Sequence, residues 1–180
     1  MRFTIIVLLL LGAGCSTERS PTTLVEKLRE ASSIELYSLD PTLLKSEPVV
    51  APDVDPQAET EPLFHDWTVL GSTVISDKEA SGALLDALQA GIDENDGIAA
   101  ACFTPRHAIR AQHEGTTYDV ILCFDCLQAR LYVDDERQDG FLVMGSPQPI
   151  FDDALQSAGI ALAPPAPTRS SVERALNSRD

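Results

Sequence analysis

The spacing of apolar residues along the chain predicts helices and strands from residue 23 onward. Apolar residues recur at helical spacing after Thr23, and residues 33–39 alternate in the manner of a strand. Residues 67–75 again have strand character, and the capping-box sequence at 76–79 predicts a helix that ends at Gly91. The first half of the chain therefore predicts the order helix, strand, strand, helix.

The second half predicts a β-hairpin, a short strand and a last helix. Residues 98–111 and 116–133 have the pattern of two hairpin strands, joined by a three-residue turn in which Gly115 supplies a positive φ. A strand at 141–144 and a helix at 151–158 follow. Taken with the first half, this order predicts an α+β fold, in which a small antiparallel sheet has its helices packed on one face.

These elements fit one domain over residues 23–160, because a chain of 180 residues is too short for two domains of ordinary size. Within that domain, residues 41–62 contain five prolines and several acidic residues. This composition is typical of a long solvated loop, which we expect to be disordered. Residues 161–180 begin with a proline-rich stretch and are expected to form a disordered tail.

The first residues predict an export signal rather than a part of the fold. Arg2 precedes an apolar run of about nine residues, whereas a membrane-spanning helix needs about 20. The run is followed by the small residues 12–14 and then by Cys15. Small residues directly before a cysteine resemble the lipobox of bacterial lipoproteins, with Gly12 at the position that usually holds Leu.

The resemblance implies that residues 1–14 are a lipoprotein signal peptide and that residues 15–22 are a tether. Cys15 would carry diacylglycerol on its sulfur and an acyl chain such as palmitate on its amino group. Such chains hold a protein on a membrane surface without spanning it. Ser16, rather than Asp, follows the cysteine, which favours the periplasmic face of the outer membrane in the bacterial cell envelope. The alternatives are an ordinary signal peptide cleaved after Gly14 and a short anchor that is retained.

The composition narrows the classes of partner. The formal net charge is -15, from 13 basic and 28 acidic residues. This balance argues against nucleic acid, because binding to phosphates requires positive charge. It also argues against a basic patch that docks on anionic lipid. We therefore expect the membrane to be reached through the N-terminal lipid anchor, and the sequence does not identify a protein or small-ligand partner.

The predicted hairpin concentrates three of the four cysteines, together with His107 and His113. Counting back from the three-residue turn places Cys102 opposite Cys126. An oxidising compartment then predicts a structural disulfide that joins Cys102 to Cys126 or to Cys123, with no cofactor. One thiol is left over once the lipid-linked cysteine is set aside.

Two other interpretations use the same residues. Cys102, His107, Cys123 and Cys126 make up a Cys3His set, the ligand types of structural zinc. The Cys-x-x-Cys spacing at 123–126 is also that of thiol-redox motifs, although those motifs lie at a helix N-terminus and this one is predicted within a strand. Three free thiols that pack in the core are the remaining interpretation.

Two arginines stand out in so acidic a chain. Arg106 and Arg110 are candidates for binding an anion, and the alternative is that they pair with Asp119, with Asp125 or with acidic residues of the helices. No Ser-His-Asp set, paired carboxylates or glycine-rich phosphate loop accompanies them. The sequence thus favours a binding or structural role over an enzyme and does not name a catalytic residue.

The cysteine hairpin also carries a second resemblance. Cys-Phe-x-Pro-Arg-His at 102–107, followed by Cys-Phe-x-Cys at 123–126, resembles a layout in uncharacterised secreted or membrane-attached bacterial proteins. The resemblance covers only the stretch from Cys102 to Cys126. It implies no activity.

Overall fold

A computed structural model describes residues 20–43 and 62–164. The predicted signal peptide, Cys15, most of the tether, residues 44–61 of the loop and residues 165–180 of the tail lie outside this range. None of the helices in the described range combines the length and the apolar character that crossing a membrane requires. The described elements are α1 (Pro21–Glu30), β1 (Ile34–Leu43), β2 (Leu63–Phe64), β3 (Trp67–Ile75), α2 (Lys78–Asp93), β4 (His107–His113), β5 (Thr116–Cys123), β6 (Gln128–Val133), β7 (Glu136–Arg137), β8 (Phe141–Leu142) and α3 (Gln148–Ser157).

The strands form one antiparallel sheet. Their order is β2-β3-β1-β4-β5-β6-β7, and β8 pairs with β6 beside β7. Every pairing in the sheet is antiparallel, including that of β1 with β3 and with β4. The predicted α+β class with an antiparallel sheet is confirmed.

The three helices pack on the same face of this sheet. Leu28 of α1, Leu88 of α2 and Phe151 of α3 belong to one buried cluster, which also includes Ile109 of β4 and Leu122 of β5. Burial of such side chains is the main stabilising contribution to a domain of this size, at about 25 cal/mol for each Å² of apolar surface. This cluster confirms the predicted placement of the helices.

The opposite face is covered by the curl of the sheet itself. Its buried cluster consists of Tyr37, Leu39, Phe64, Trp67, Ala108 and Ile121. His65, in the turn between β2 and β3, stacks on Tyr132 of β6 with 3.8 Å between ring centroids. Four strands separate β2 from β6 in the sheet order, so this contact requires strong curvature. His65 Nε2 also lies 2.8 Å from Asp119 Oδ2 on β5.

Helix α2 begins and ends differently from its prediction. The N-cap is Asp77, whose carboxylate accepts a hydrogen bond from the Ala80 amide at 2.8 Å, so Ser76 is not the cap. Aspartate is as good an N-cap as serine, and here the chain enters the helix one residue later. The helix passes through Gly91 because this glycine serves close packing and not termination. A Cβ at Gly91 would lie 2.5 Å from Pro147 Cγ.

Strand β1 continues beyond its predicted end. It was expected to span residues 33–39, yet it includes Pro41 and extends to Leu43. The ladder between β1 and β3 has register shifts between Ser38 and Leu39 and again between Leu39 and Leu43. These irregularities accommodate the proline, which lacks an amide hydrogen for a regular ladder.

The hairpin turn is one residue shorter than predicted. His113 pairs with Thr116, and the two residues between them, Glu114 and Gly115, both have positive φ (50° and 83°). This is the two-residue hairpin turn whose twist matches that of the flanking strands. The change moves the cross-strand register by one residue, so that His107 faces Leu122.

The predicted hairpin strands are also too long. Strand β4 begins only at His107, and the residues before it form an irregular segment. The second predicted strand is divided by a turn after Cys123 into β5 and β6. Cys102 is therefore outside the strand ladder rather than opposite Cys126.

Candidate functional site

The turn between β5 and β6 brings two cysteines together. Cys123 is the last residue of β5, and the Cys126 amide donates a hydrogen bond to the Cys123 carbonyl at 3.2 Å. The two sulfurs are joined as a disulfide, with 5.1 Å between the Cα atoms. From the sequence, Cys102 was expected as one partner, because residues 116–133 were predicted as one strand. A continuous strand places residues three apart on opposite faces, whereas the turn places them on the same side.

Cys102 nevertheless lies beside this disulfide. This residue is exposed, its thiol is free, and its Sγ is 3.2 Å from Cys126 Sγ. Thr104 contacts both bonded cysteines, because its amide is 3.4 Å from Cys126 Sγ and its hydroxyl is 3.9 Å from Cys123 Sγ. The structure thus gathers all three predicted cysteines, with a bond between a different pair.

His107 does not join the cysteines as a fourth metal ligand. It is buried at the start of β4, and its Nε2 lies 2.7 Å from Asp152 Oδ1 on α3. Two of the three sulfurs are bonded to each other, which removes them as thiolate ligands. The Cys3His set expected for zinc is therefore not assembled in this arrangement.

Burial controls the protonation of His107. Loss of hydration lowers the pKa of the imidazole below its ordinary value, and the hydrogen bond to Asp152 opposes this only in part. The neutral ring carries one N–H hydrogen. It lies on Nε2, because the ionised carboxylate of Asp152 accepts hydrogen bonds and cannot donate them. The other nitrogen, Nδ1, is then an acceptor, and it is buried without a hydrogen-bond partner.

Another group of possible metal ligands is found at the opposite side of the sheet. His65, Asp119 and Asp135 each offer a ligand atom within 4.8 Å of the others. Both oxygens of Asp119 already accept from Arg110, at 2.7 Å from Nε and 2.6 Å from Nη2. The guanidinium neutralises the carboxylate that a cation would need, so we do not assign a metal to this group.

Arg106 and Arg110 differ in how far their donors are used. Arg110 forms the forked pair with Asp119, and this hydrogen bonding raises the pKa of its guanidinium. Arg106 donates to Asp125 through Nη1 alone, at 2.8 Å. Its Nε and Nη2 are buried without a partner. Both predicted aspartate partners are thus in place, but one edge of Arg106 remains unused.

Arg106 and His107, which carry these unpartnered nitrogen atoms, line a common cavity. Its volume is about 190 Å³. Liquid water occupies about 30 Å³ for each molecule, so the cavity has room for a small organic molecule. Its lining residues are Arg106, His107, Gln148, Asp152, Leu162 and Ala163.

This cavity adjoins the cysteine cluster. A neighbouring depression shares Arg106, His107 and Gln148 with it and is also lined by Thr104. Thr104 in turn contacts the disulfide. The candidate site therefore has two adjacent parts, which are the three cysteines and the polar cavity.

A larger cavity of about 250 Å³ lies beneath α1. It is lined mainly by apolar side chains such as Leu24 and Phe141, and its lining also includes Lys27 and Tyr118. Within the described residues, none of the buried polar atoms that lack a partner belongs to its lining. It therefore offers less evidence of ligand chemistry than the smaller cavity.

Two residues of the site, Gln148 and Asp152, were not predicted from the sequence. Both lie on α3, four residues apart and hence on one helical face. That spacing was the only local signal, because His107 lies 45 residues away along the chain.

No known protein family, curated protein or solved structure matches this chain.

Proposed function

We propose that this protein is a lipid-anchored binding module of the bacterial cell envelope whose domain holds a small carboxylate in the cavity beside α3. The observation that carries the proposal is the unused edge of Arg106. The two atoms of this edge, Nε and Nη2, are buried and unpartnered, in a side chain that is 11% exposed and belongs to the lining of the cavity. Buried donors without partners destabilise a fold, so a ligand that satisfies them gains affinity.

The chemistry of the ligand follows from the chain itself. Arg110 uses the same two nitrogen atoms, Nε and Nη2, to hold Asp119 in a forked pair. A carboxylate of a ligand would fit the matching edge of Arg106 in the same geometry. A forked pair of this kind is planar and directional, which lysine cannot reproduce.

A simple anion is less well matched to the rest of the cavity. Asp125 and Asp152 bring negative charge near Arg106, and the bare Nδ1 of His107 requires a donor. A ligand that carries a hydroxyl or ammonium group beside its carboxylate supplies that donor. The favoured class is therefore a small hydroxy acid or amino acid.

The experiment is calorimetric titration of the purified protein with L-lactate and with acetate. We expect lactate to bind more tightly than acetate, because only lactate supplies a hydroxyl donor. Arg106→Lys should weaken lactate binding by about tenfold or more, since hydrogen bonds to charged groups contribute about 1.5–3 kcal/mol.

Arg137→Lys is the matched control, because Arg137 is exposed on β7 and is not among the residues that line the cavity. This variant should keep the affinity of the parent protein. Equal lactate affinity in Arg106→Lys and the parent would contradict the proposal, as would the absence of binding by both probes. A thermal melt of each variant confirms that the fold is retained.

A further inference from the structure

We infer that Cys102 is the entry point for thiol–disulfide exchange with the Cys123–Cys126 disulfide. The inference is independent of the proposed carboxylate site, since it rests on the cysteines alone. Cys102 Sγ is 3.2 Å from Cys126 Sγ, which places a potential nucleophile in contact with one atom of the bond it would attack. Exchange proceeds by attack of a thiolate on a disulfide sulfur, so this contact is the required starting geometry.

Hydrogen bonds hold the segment that carries Cys102 in place. The Ala100 amide donates to the Cys126 carbonyl at 3.0 Å. The side-chain amide of Gln128, on β6, donates to the Ala100 carbonyl at 2.8 Å and to the Cys102 carbonyl at 2.7 Å. These contacts fix the segment that carries Cys102 against the turn that carries Cys126.

The three cysteines differ in their exposure to solvent. Cys123 is 1% exposed and Cys126 is 0% exposed, whereas Cys102 is exposed. An external thiol therefore cannot approach the disulfide in the folded protein. It can approach Cys102, so electrons from solvent would reach the buried bond through this residue.

The exchange step is balanced within the protein. The Cys102 thiol loses its proton to solvent, and its thiolate attacks Cys126 Sγ. The Cys102–Cys126 bond forms, the Cys123–Cys126 bond breaks, and Cys123 leaves as a thiolate that takes up a proton. The hydroxyl of Thr104, 3.9 Å from Cys123 Sγ, is placed to donate to the departing thiolate. No net oxidation or reduction accompanies this step.

Reduction by an external thiol then takes two further steps. One external thiolate attacks the sulfur of Cys102, the exposed residue of the pair, forms a mixed disulfide and releases Cys126. A second external thiolate attacks that mixed disulfide and releases Cys102. Two external thiols are oxidised to one disulfide, and Cys123 and Cys126 are reduced. The substrates would accordingly be small or exposed thiols and the disulfides that they form.

The test follows reduction by glutathione in the full chain carrying Cys15→Ser, so that three cysteines remain to be counted. Samples are quenched by alkylation and the labelled peptides are identified by mass. We expect the first glutathione adduct on Cys102. Cys102→Ser should slow reduction of the disulfide by roughly tenfold or more, because it removes an attacking group that is already in place.

Ala101→Ser is the matched control, because it adds a hydroxyl at the neighbouring exposed position and leaves the thiol intact. This variant should be reduced at the parent rate. Equal rates for Cys102→Ser and the parent would overturn the inference, since reduction would then proceed through opening of the fold.

A second measurement uses the parent protein and so does not depend on the folding of Cys102→Ser. The parent is incubated from neutral to mildly alkaline pH, quenched with acid, denatured and alkylated. Exchange predicts that part of the label appears on Cys123, and that this part is reached faster at higher pH because the thiolate is the nucleophile. Label confined to Cys102 under all conditions would overturn the inference.

Discussion

His107 is subject to two opposing influences on its protonation. It is 2% exposed, so the charged imidazolium would lose most of its hydration, and this desolvation lowers its pKa. The carboxylate of Asp152 favours the charged form, and Arg106 disfavours it. Desolvation is the largest of these effects, and the neutral ring follows from it. The acceptor nitrogen that faces no protein partner is thus a consequence of burial.

The lowered pKa of His107 predicts a specific loss of stability in acid. In the unfolded chain His107 binds a proton below its ordinary pKa of about 6.5. The buried ring stays neutral until the pH reaches its lower folded-state pKa. The free energy of unfolding should fall as pH decreases from about 6.5 toward the lower folded-state pKa, by at most about 1.4 kcal/mol for each pH unit.

Urea denaturation near pH 7.5 and near pH 5.5 measures this loss. His107→Gln can keep a hydrogen bond to Asp152 but does not titrate, so its stability should depend less on pH in this window. Identical pH dependence in His107→Gln and the parent would show that other groups cause the acid effect.

At the scale of elements, the contact between α2 and α3 supports the cavity. Gly91 of α2 faces Pro147, the residue that caps α3, and the Met144 amide donates to the Gly91 carbonyl at 2.8 Å. Helix α3 carries Gln148 and Asp152 into the lining of the cavity. Close packing of two helices at a glycine therefore helps to position the candidate site.

Two glycine substitutions in the same helix should have opposite effects. A Cβ at Gly91 would lie 2.5 Å from Pro147 Cγ, so Gly91→Ala should destabilise the protein by about 1–3 kcal/mol through overpacking. A Cβ at Gly82 has no neighbour within 4 Å, so Gly82→Ala should stabilise it by about 0.5–1 kcal/mol. Urea denaturation midpoints measure both, and a loss of stability with Gly82→Ala as large as with Gly91→Ala would contradict this explanation.

At the scale of the whole molecule, the curled sheet divides the interior into two clusters. One lies under the three helices and the other is enclosed by the curl, where His65 reaches Tyr132 and Asp119. The cysteine turn and the cavity lie near one end of this sheet, at the start of β4 and the end of β5.

The expected anchor predicts how the whole protein fractionates. If Cys15 carries the acyl chains, Cys15→Ala should move the protein from the membrane fraction to the soluble fraction, because each buried methylene contributes about 0.8 kcal/mol to membrane binding. Cys102→Ala is the control and should remain with the membranes. A Cys15→Ala protein that still sediments with membranes would be evidence against the lipoprotein resemblance.

The sequence by itself determined the three helices, the longer strands and the α+β class. Residues 67–75 were predicted as a strand with the bounds that β3 has, and Asp119 and Asp125 were foreseen among the possible acidic partners of the two arginines. These features depend on side-chain period and on charges that neighbouring strands carry, which are readable along the chain.

Only the tertiary structure decided which cysteines pair and what His107 faces. A turn one residue shorter than expected moved the register, and a second turn brought Cys123 onto Cys126. The hydrogen bond from His107 to Asp152 depends on how α3 packs on the sheet. Such contacts join residues far apart in the chain, and small changes in turn length and sheet curvature, which local patterns do not specify, determine them.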